Sequence, residues 1–189
     1  RSQEEYTQKI RYSLEEIEKM TNTLEQLLLI ARLESKSSKN KDALISIAST
    51  IDESVSRYRE QITSKNLEIN IETTRSEELL VPQYYSKIII DNLLSNAIKY
   101  SHRNSKIRFT AGTKDGRISC SIEDEGIGMK EDDLSRVYDN FFRSDTFNHK
   151  NISGNGLGLS IVKKCVEAIG GDIKIVSSLG LGTSVTIIF

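Results

Sequence analysis

Asn92, Asn96 and Lys99 stand at i, i+4 and i+7, the spacing of a single helix face. Their segment reads Asp91-Asn92-Leu93-Leu94-Ser95-Asn96-Ala97-Ile98-Lys99-Tyr100, and Ile88, Ile89, Leu93, Leu94, Ala97 and Ile98 form its apolar side. Asparagine is a poor residue for a helix interior. A solvated face would use Glu, Gln or Lys instead. Amide oxygens followed by an ammonium suit a hard cation such as Mg²⁺, which keeps most of its waters and takes few protein ligands, beside a phosphate. The competing reading is an ordinary solvated face.

Two glycine-bearing segments add to this. Asp124-Glu125-Gly126-Ile127-Gly128-Met129 follows an alternating strand pattern. A Gly-x-Gly turn there lets backbone approach a planar ligand closely, and Asp124 could accept a hydrogen bond from an exocyclic amine. A plain turn would use the same residue types. Gly154-Asn155-Gly156-Leu157-Gly158-Leu159 leads into a helix continued by Ile161, Val162, Cys165, Val166 and Ile169. Glycines at a helix N-terminus present N–H groups to an anion, and the helix dipole favours negative charge there. The segment is neither a Walker loop nor a dinucleotide fingerprint, and a flexible hinge is the alternative. Between the two lie Asn140-Phe141-Phe142-Arg143, where Arg143 faces either phosphate or solvent.

Several elements must position these residues. Ile10, Leu14, Ile17, Thr21, Leu24, Leu28 and Ala31 make a heptad seam in a helix over 6–35, which wants a partner helix or its own domain. A polar linker follows at 35–41, then a helical region over 42–64 and a strand over 67–71. Pro82 opens a helix over 83–100. Strands over 106–113 and 117–123 flank Asp115-Gly116, a strong hairpin signal. A short helix over 130–138, a loop over 139–157, a helix over 158–169 and strands over 172–177 and 183–189 complete the order. That order predicts an α+β fold: two layers, a mixed sheet covered on one face by helices, preceded by one long helix.

The composition excludes some functions. With a formal net charge of −1 and no basic run, nothing marks a nucleic-acid partner. No apolar stretch reaches the roughly 20 residues that span a bilayer. Cys120 and Cys165 lie in apolar patterns without metal-ligand spacing and read as reduced core residues. The first residue is Arg1, within a helical pattern, so a piece of a longer protein is expected.

Taken in order, these segments resemble the N, first glycine, F, second glycine and last boxes of the sensor histidine kinase catalytic domain. That domain is related to gyrase, the ninety-kilodalton heat-shock chaperone and MutL-type ATPases. Asn92 to Ser101 is similar to the N box, and Gly180-Leu181-Gly182-Thr183 with its closing strand to the last box. The resemblance covers 41–189, and the helix over 1–36 looks like the second helix of a dimerisation hairpin.

The resemblance implies ATP and Mg²⁺ as ligands. It implies Asn96 on Mg²⁺ supported by Asn92, Lys99 on the phosphates, and Tyr100 near base or sugar. Asp124 would bond the adenine amine above a floor shaped by Gly126 and Gly128, with Thr183 close to the adenine. Gly154, Gly156, Gly158, Leu157 and Leu159 would form the lid base, and Arg143 would approach the phosphates or the partner helix. The related ATPases carry a glutamate as general base one turn before the magnesium asparagine. Asn92 cannot take that proton, so the resemblance implies phosphoryl transfer to a histidine and slow hydrolysis.

This chain has no acceptor segment of the His-Glu-Leu-Arg-Thr-Pro kind, and neither His102 nor His149 has that context. The expected partners are the dimerisation hairpin of a homodimeric parent kinase and a response regulator. The expected setting is a cytoplasmic domain of a membrane-anchored protein. An ATP-binding scaffold without transfer and an ATPase-type switch are the alternatives.

Overall fold

The computed structural model describes residues 3–34, 43–73, 79–144 and 154–189. The chain divides into two units, Arg1–Ser38 and Lys39–Phe189. In the first, α1 (Gln3–Glu34) is one continuous helix. Glu4 and Glu5 lie in its first turn and Arg32 in its last, the charge order that complements the helix dipole. Its seam residues Ile10, Leu14, Ile17, Leu24 and Leu28 are each more than half exposed.

The second unit is built on a five-stranded sheet. Its strands are β2 (Glu68–Thr73), β4 (Lys106–Lys114), β5 (Arg117–Asp124), β6 (Asp172–Ser178) and β7 (Gly182–Ile188), in the order β2-β4-β5-β7-β6. β2 runs parallel to β4 and the remaining pairs are antiparallel, so the sheet is mixed. Alternation decides its two faces. In β4, Ile107, Phe109 and Ala111 are buried while Lys106, Arg108 and Thr110 are exposed. Cys120 and Ile122 of β5 and Val185 and Ile187 of β7 extend the buried set.

Against this face pack α4 (Gln83–Tyr100) and α6 (Gly158–Ala168), side by side, and α2 (Ile47–Arg57) packs on α4. The core between the layers includes Phe109, Ile51, Ile89, Leu94, Leu157 and Ile161, all essentially inaccessible. The opposite face carries cross-strand ion pairs, Lys106–Glu68 at 3.3 Å and Arg108–Glu72 at 3.6 Å. Such exposed pairs contribute at most about 1 kcal/mol each, and they keep that face polar. The architecture is the expected helix-on-sheet sandwich.

The hairpin at Asp115-Gly116 forms as expected. Both residues take positive φ, 50° and 74°, the backbone that two-residue hairpins require. Pro82 caps the start of α4. Two expectations fail. The region 42–64 is not one helix: β1 (Leu44–Ser46) pairs antiparallel with β3 (Leu80–Pro82), and the rest splits into α2 and α3 (Arg59–Lys65) at Tyr58. The helix over 130–138 shrinks to α5 (Glu131–Leu134), followed by turns. The linker at 35–41 and His149 lie outside the described residues, as do Arg1 and Ser2.

Candidate functional site

α4 is the crossover between the parallel strands β2 and β4, so its C-terminal half must run along the sheet toward the end where β5 finishes. Its apolar side is spent on the core: Leu93, Leu94, Ala97 and Ile98 are all buried. Asn92 and Asn96 therefore face α6. Asn92 donates its Nδ2 to the carbonyl of Ile88 at 2.8 Å, and that bond orients the amide so that Oδ1 points outward.

Oδ1 meets the first residue of α6. A Cβ on Gly158 would stand 3.2 Å from Asn92 Oδ1, 3.4 Å from Asn96 Nδ2 and 3.6 Å from Asn96 Oδ1. Glycine at 158 thus lets the N-terminus of α6, with its outward N–H groups, sit directly against the two amides. Leu157, just before it, is completely buried and anchors that turn, while its N–H donates to Asn155 Oδ1 at 3.3 Å. Leu159 is half-buried on the first turn of α6.

Lys99 lies one turn further along α4. Its Nζ comes within 4.0 Å of where a Cβ on Gly154 would be. Arg143 Nη1 donates to the carbonyl of that same glycine at 3.0 Å. Burial lowers the pKa of Lys99, and the neighbouring Arg143 lowers it further. Two cations against a glycine loop and a helix N-terminus form a concentrated positive field, which an anion relieves. Arg143 is itself exposed, held beside the loop by that bond to Gly154. Gly156, at φ 72°, lies against the backbone of Phe141 and Phe142, and Phe141 donates its N–H to Gly156 at 3.0 Å. The aromatic pair and the second glycine loop are therefore one piece of structure.

The other end of the site is built where β5 stops. Asp124 pairs with Thr183 across β5 and β7. Its Oδ1 is buried without a hydrogen-bond partner. Burial lifts the carboxyl to about 6, against the pull of the Gly126 and Thr183 backbone. A buried acceptor of this kind is costly until a donor arrives, and an amine reaching it would remove that cost.

Gly126 bridges to Ser101, and Ile127 donates its N–H to the carbonyl of Tyr100 at 3.1 Å. The floor of this end is thereby stitched to the end of α4. A Cβ on Gly126 would stand 2.6 Å from Asp124 Oδ1 and would collide with the carbonyl of Tyr100. Burial raises the pKa of the Tyr100 phenol, while Arg143 acts the other way. Gly128, at φ 65°, faces the β6–β7 turn, where a Cβ would strike the carbonyl of Ser178. It shapes the floor from beneath.

The sequence-predicted residues thus fall into two joined clusters. Asn92, Asn96, Lys99, Arg143, Gly154 and Gly158 make one; Asp124, Gly126, Tyr100 and Thr183 make the other. Among the described residues no group of three or more His, Cys, Asp or Glu could hold a metal. A cation beside Asn96 would take most of its ligands from phosphate and water, a donor set that fits Mg²⁺.

Two supports were not anticipated. Ser177 Oγ accepts from the N–H of Met129 at 2.9 Å and bonds both the carbonyl of Gly182 and the hydroxyl of Thr183. Nothing in the strand pattern distinguishes that serine. Asp91 accepts from Ser54 Oγ at 2.6 Å and from Arg57, fastening α4 to α2 behind the asparagines. A carboxylate following Ile88-Ile89-Ile90 was a signal that could have been read.

A family described as histidine kinase-, DNA gyrase B-, and HSP90-like ATPase matches residues 86–189. The signal transduction histidine-protein kinase ArlS of Staphylococcus aureus (strain USA300) is 32% identical over 189 residues, covering 95% of this chain. The chain spans about 40% of that kinase's length. Full-length ShkA in complex with AMPPNP superposes with a TM-score of 0.82 at 24% identity, covering 98% of this chain and 38% of that one. The Acinetobacter baumannii histidine kinase AdeS gives 0.78 at 21% identity, covering 95% and 82%. These two likenesses establish the fold.

Proposed function

Because the chain belongs to the histidine kinase-, DNA gyrase B- and HSP90-like ATPase family, we propose that it binds Mg-ATP and donates the γ-phosphoryl group to a histidine on the dimerisation hairpin of a sensor kinase. One observation supports the choice within the family: Asn92, one turn before Asn96 and with its Oδ1 beside Gly158, is an amide at the position where the resemblance implies the related ATPases carry their glutamate base. An amide cannot take that proton at neutral pH.

In this reading Asp124 accepts from the adenine amine, with Thr183 alongside and Gly126 and Gly128 setting the floor. Tyr100 lines the passage to the phosphates. Lys99 and the N–H groups at Gly158 hold the phosphate oxygens, Asn96 offers its oxygen to Mg²⁺, and Asn92 braces it. Gly154 and Gly156 let the loop fold over the triphosphate, with Leu157 and Leu159 as its base. When bound, Mg²⁺ neutralises charge on the phosphates.

An imidazole nitrogen of the acceptor forms a bond to the γ-phosphorus while the bond to the β,γ-bridging oxygen breaks, and ADP departs with that electron pair. Arg143 faces the developing charge. The rate rests on positioning and charge neutralisation. The seam of α1, taken as the second helix of the dimerisation hairpin, is the face that the rest of that hairpin in the parent kinase would cover. The response regulator would then receive the phosphoryl group. Among the described residues no helix is long and apolar enough to cross a membrane, and anchoring of the parent belongs to this proposal rather than to the fold.

The test supplies γ-labelled ATP and a hairpin carrying the acceptor histidine. Label on the hairpin, with little free phosphate, is expected. Tight ATP binding without transfer would indicate a scaffold. Steady release of phosphate that Asn92→Ala abolishes would indicate an ATPase switch.

A further inference from the structure

The C-terminus of α4 has an unusual termination. Helices leave their last carbonyls without partners and most often turn through a glycine that supplies N–H donors. α4 instead runs straight into extended backbone at Ser101, φ −62° and ψ 147°, so its final carbonyls must be satisfied from elsewhere. The carbonyl of Tyr100 takes the N–H of Ile127; for Ile98, Lys99 and Ser101 the donor is a single side chain. Lys65 Nζ, from the last residue of α3, reaches the carbonyl of Ile98 at 2.7 Å, of Lys99 at 2.8 Å and of Ser101 at 3.1 Å. An ammonium has three donors, and here all three go to backbone carbonyls.

The neighbours of Lys65 reinforce the attachment. Asn66 takes the left-handed conformation, φ 53°, and ends α3. Its Nδ2 donates to Asn104 Oδ1 at 2.9 Å. Asn104 returns its N–H to the carbonyl of Lys65 at 3.0 Å, and Arg103 reaches the carbonyl of Ser64 at 2.7 Å. Residues 64–66 and 98–104 are therefore fastened together. The fastened stretch carries Lys99 and Tyr100, and the carbonyl of Tyr100 holds the N–H of Ile127.

We propose that Lys65 is a positioning residue of the nucleotide site, clamping the end of α4 so that Lys99 and the Tyr100–Ile127 junction are held in place before ligand arrives. The inference rests on the assignment of this pocket to ATP. Preorganisation of this kind removes ordering costs that the ligand would otherwise bear.

A double-mutant cycle on the whole chain, with Mg-ATP affinity read by calorimetry, tests it. Lys65→Met is expected to weaken binding about tenfold, and Lys65→Arg to restore it to within about threefold. Combined with Lys99→Met, Lys65→Met should add little, because it acts through Lys99. Amide exchange of the ligand-free protein gives a reading that needs no nucleotide. Ile127 and His102, whose N–H groups bond Tyr100 and Glu125, should exchange about tenfold faster in Lys65→Met, with the β4–β5 ladder unchanged.

Full additivity with Lys99→Met, or a uniform rise in exchange throughout the fold, would overturn the proposal. If Lys65→Met does not fold, Lys65→Gln replaces it under the same criteria. A parent chain that binds no ATP would remove the nucleotide assignment and leave the exchange comparison to judge the clamp.

Discussion

Asp124 and Thr183 are register partners at the ends of β5 and β7, and the carboxyl of Asp124 is buried there with an unsatisfied Oδ1. Burial raises its pKa from 3.8 to about 6. Between those two values the folded chain holds a proton that the unfolded chain has released. Stability is thus fully present below about pH 4 and declines as pH climbs through 6, by at most roughly 3 kcal/mol. Asp124→Asn should flatten that decline and raise the melting temperature at pH 7. Thermal unfolding of both proteins from pH 4.5 to 7.5 checks it.

The same substitution should harm recognition. An exocyclic amine donates to the ionised carboxylate and favours it, so ATP should bind more tightly as pH rises through 6. Asp124→Asn should lose that dependence and narrow the preference for ATP over GTP about tenfold or more. Equal binding of ATP and GTP by parent and variant would remove Asp124 from adenine recognition.

Gly158→Ala separates fold from site. Gly158 opens α6 rather than lying in its interior and has no positive φ, so alanine should leave stability within about 1 kcal/mol. Yet its Cβ would press on Asn92 Oδ1, and Mg-ATP affinity should fall about tenfold. Paired melting and calorimetric measurements suffice. Gly128→Ala should behave oppositely, because its φ of 65° and the Ser178 carbonyl beneath it leave no room. It should unfold the chain well below the parent's melting temperature.

Lys99→Met and Arg143→Ala should differ in kind. Lys99 is half-buried beside the glycine loop, so its loss should weaken Mg-ATP but leave adenosine binding within about twofold. Arg143→Ala should reduce transfer to an acceptor histidine more than ATP affinity. Titrations with adenosine and ATP, together with the labelled transfer assay, distinguish them.

Elements whose signals are local were legible in the sequence. The Asp115-Gly116 hairpin, α4 behind Pro82 and α6 behind the glycines all follow from turn chemistry and spacing. Asn92, Asn96 and Lys99 were singled out because asparagine is out of place in a helix, and the structure puts the two amides beside Gly158. What escaped depends on partners far along the chain. Leu44 fits the helical spacing of Ile47 and Ile51, yet Leu44–Ser46 is drawn into a strand by Leu80–Pro82. Lys65 looks like any basic residue at a helix end, since its acceptors are carbonyls 33 to 36 positions away. Gly126 and Gly128 were read as letting backbone approach a planar ligand, whereas the close approaches the structure shows at them are to the carbonyls of Tyr100 and Ser178.

The parallel pairing of β2 with β4 has a kinetic consequence. The chain between them contains α4, so the asparagine helix cannot settle until strands separated by more than thirty residues have met. The ligand pocket is then assembled by non-local pairings, this one and the still longer-range pairing of β5 with β7 that joins Asp124 to Thr183. During refolding, secondary structure should return first and nucleotide capture last, making captured nucleotide a stricter measure of native chain than helix content.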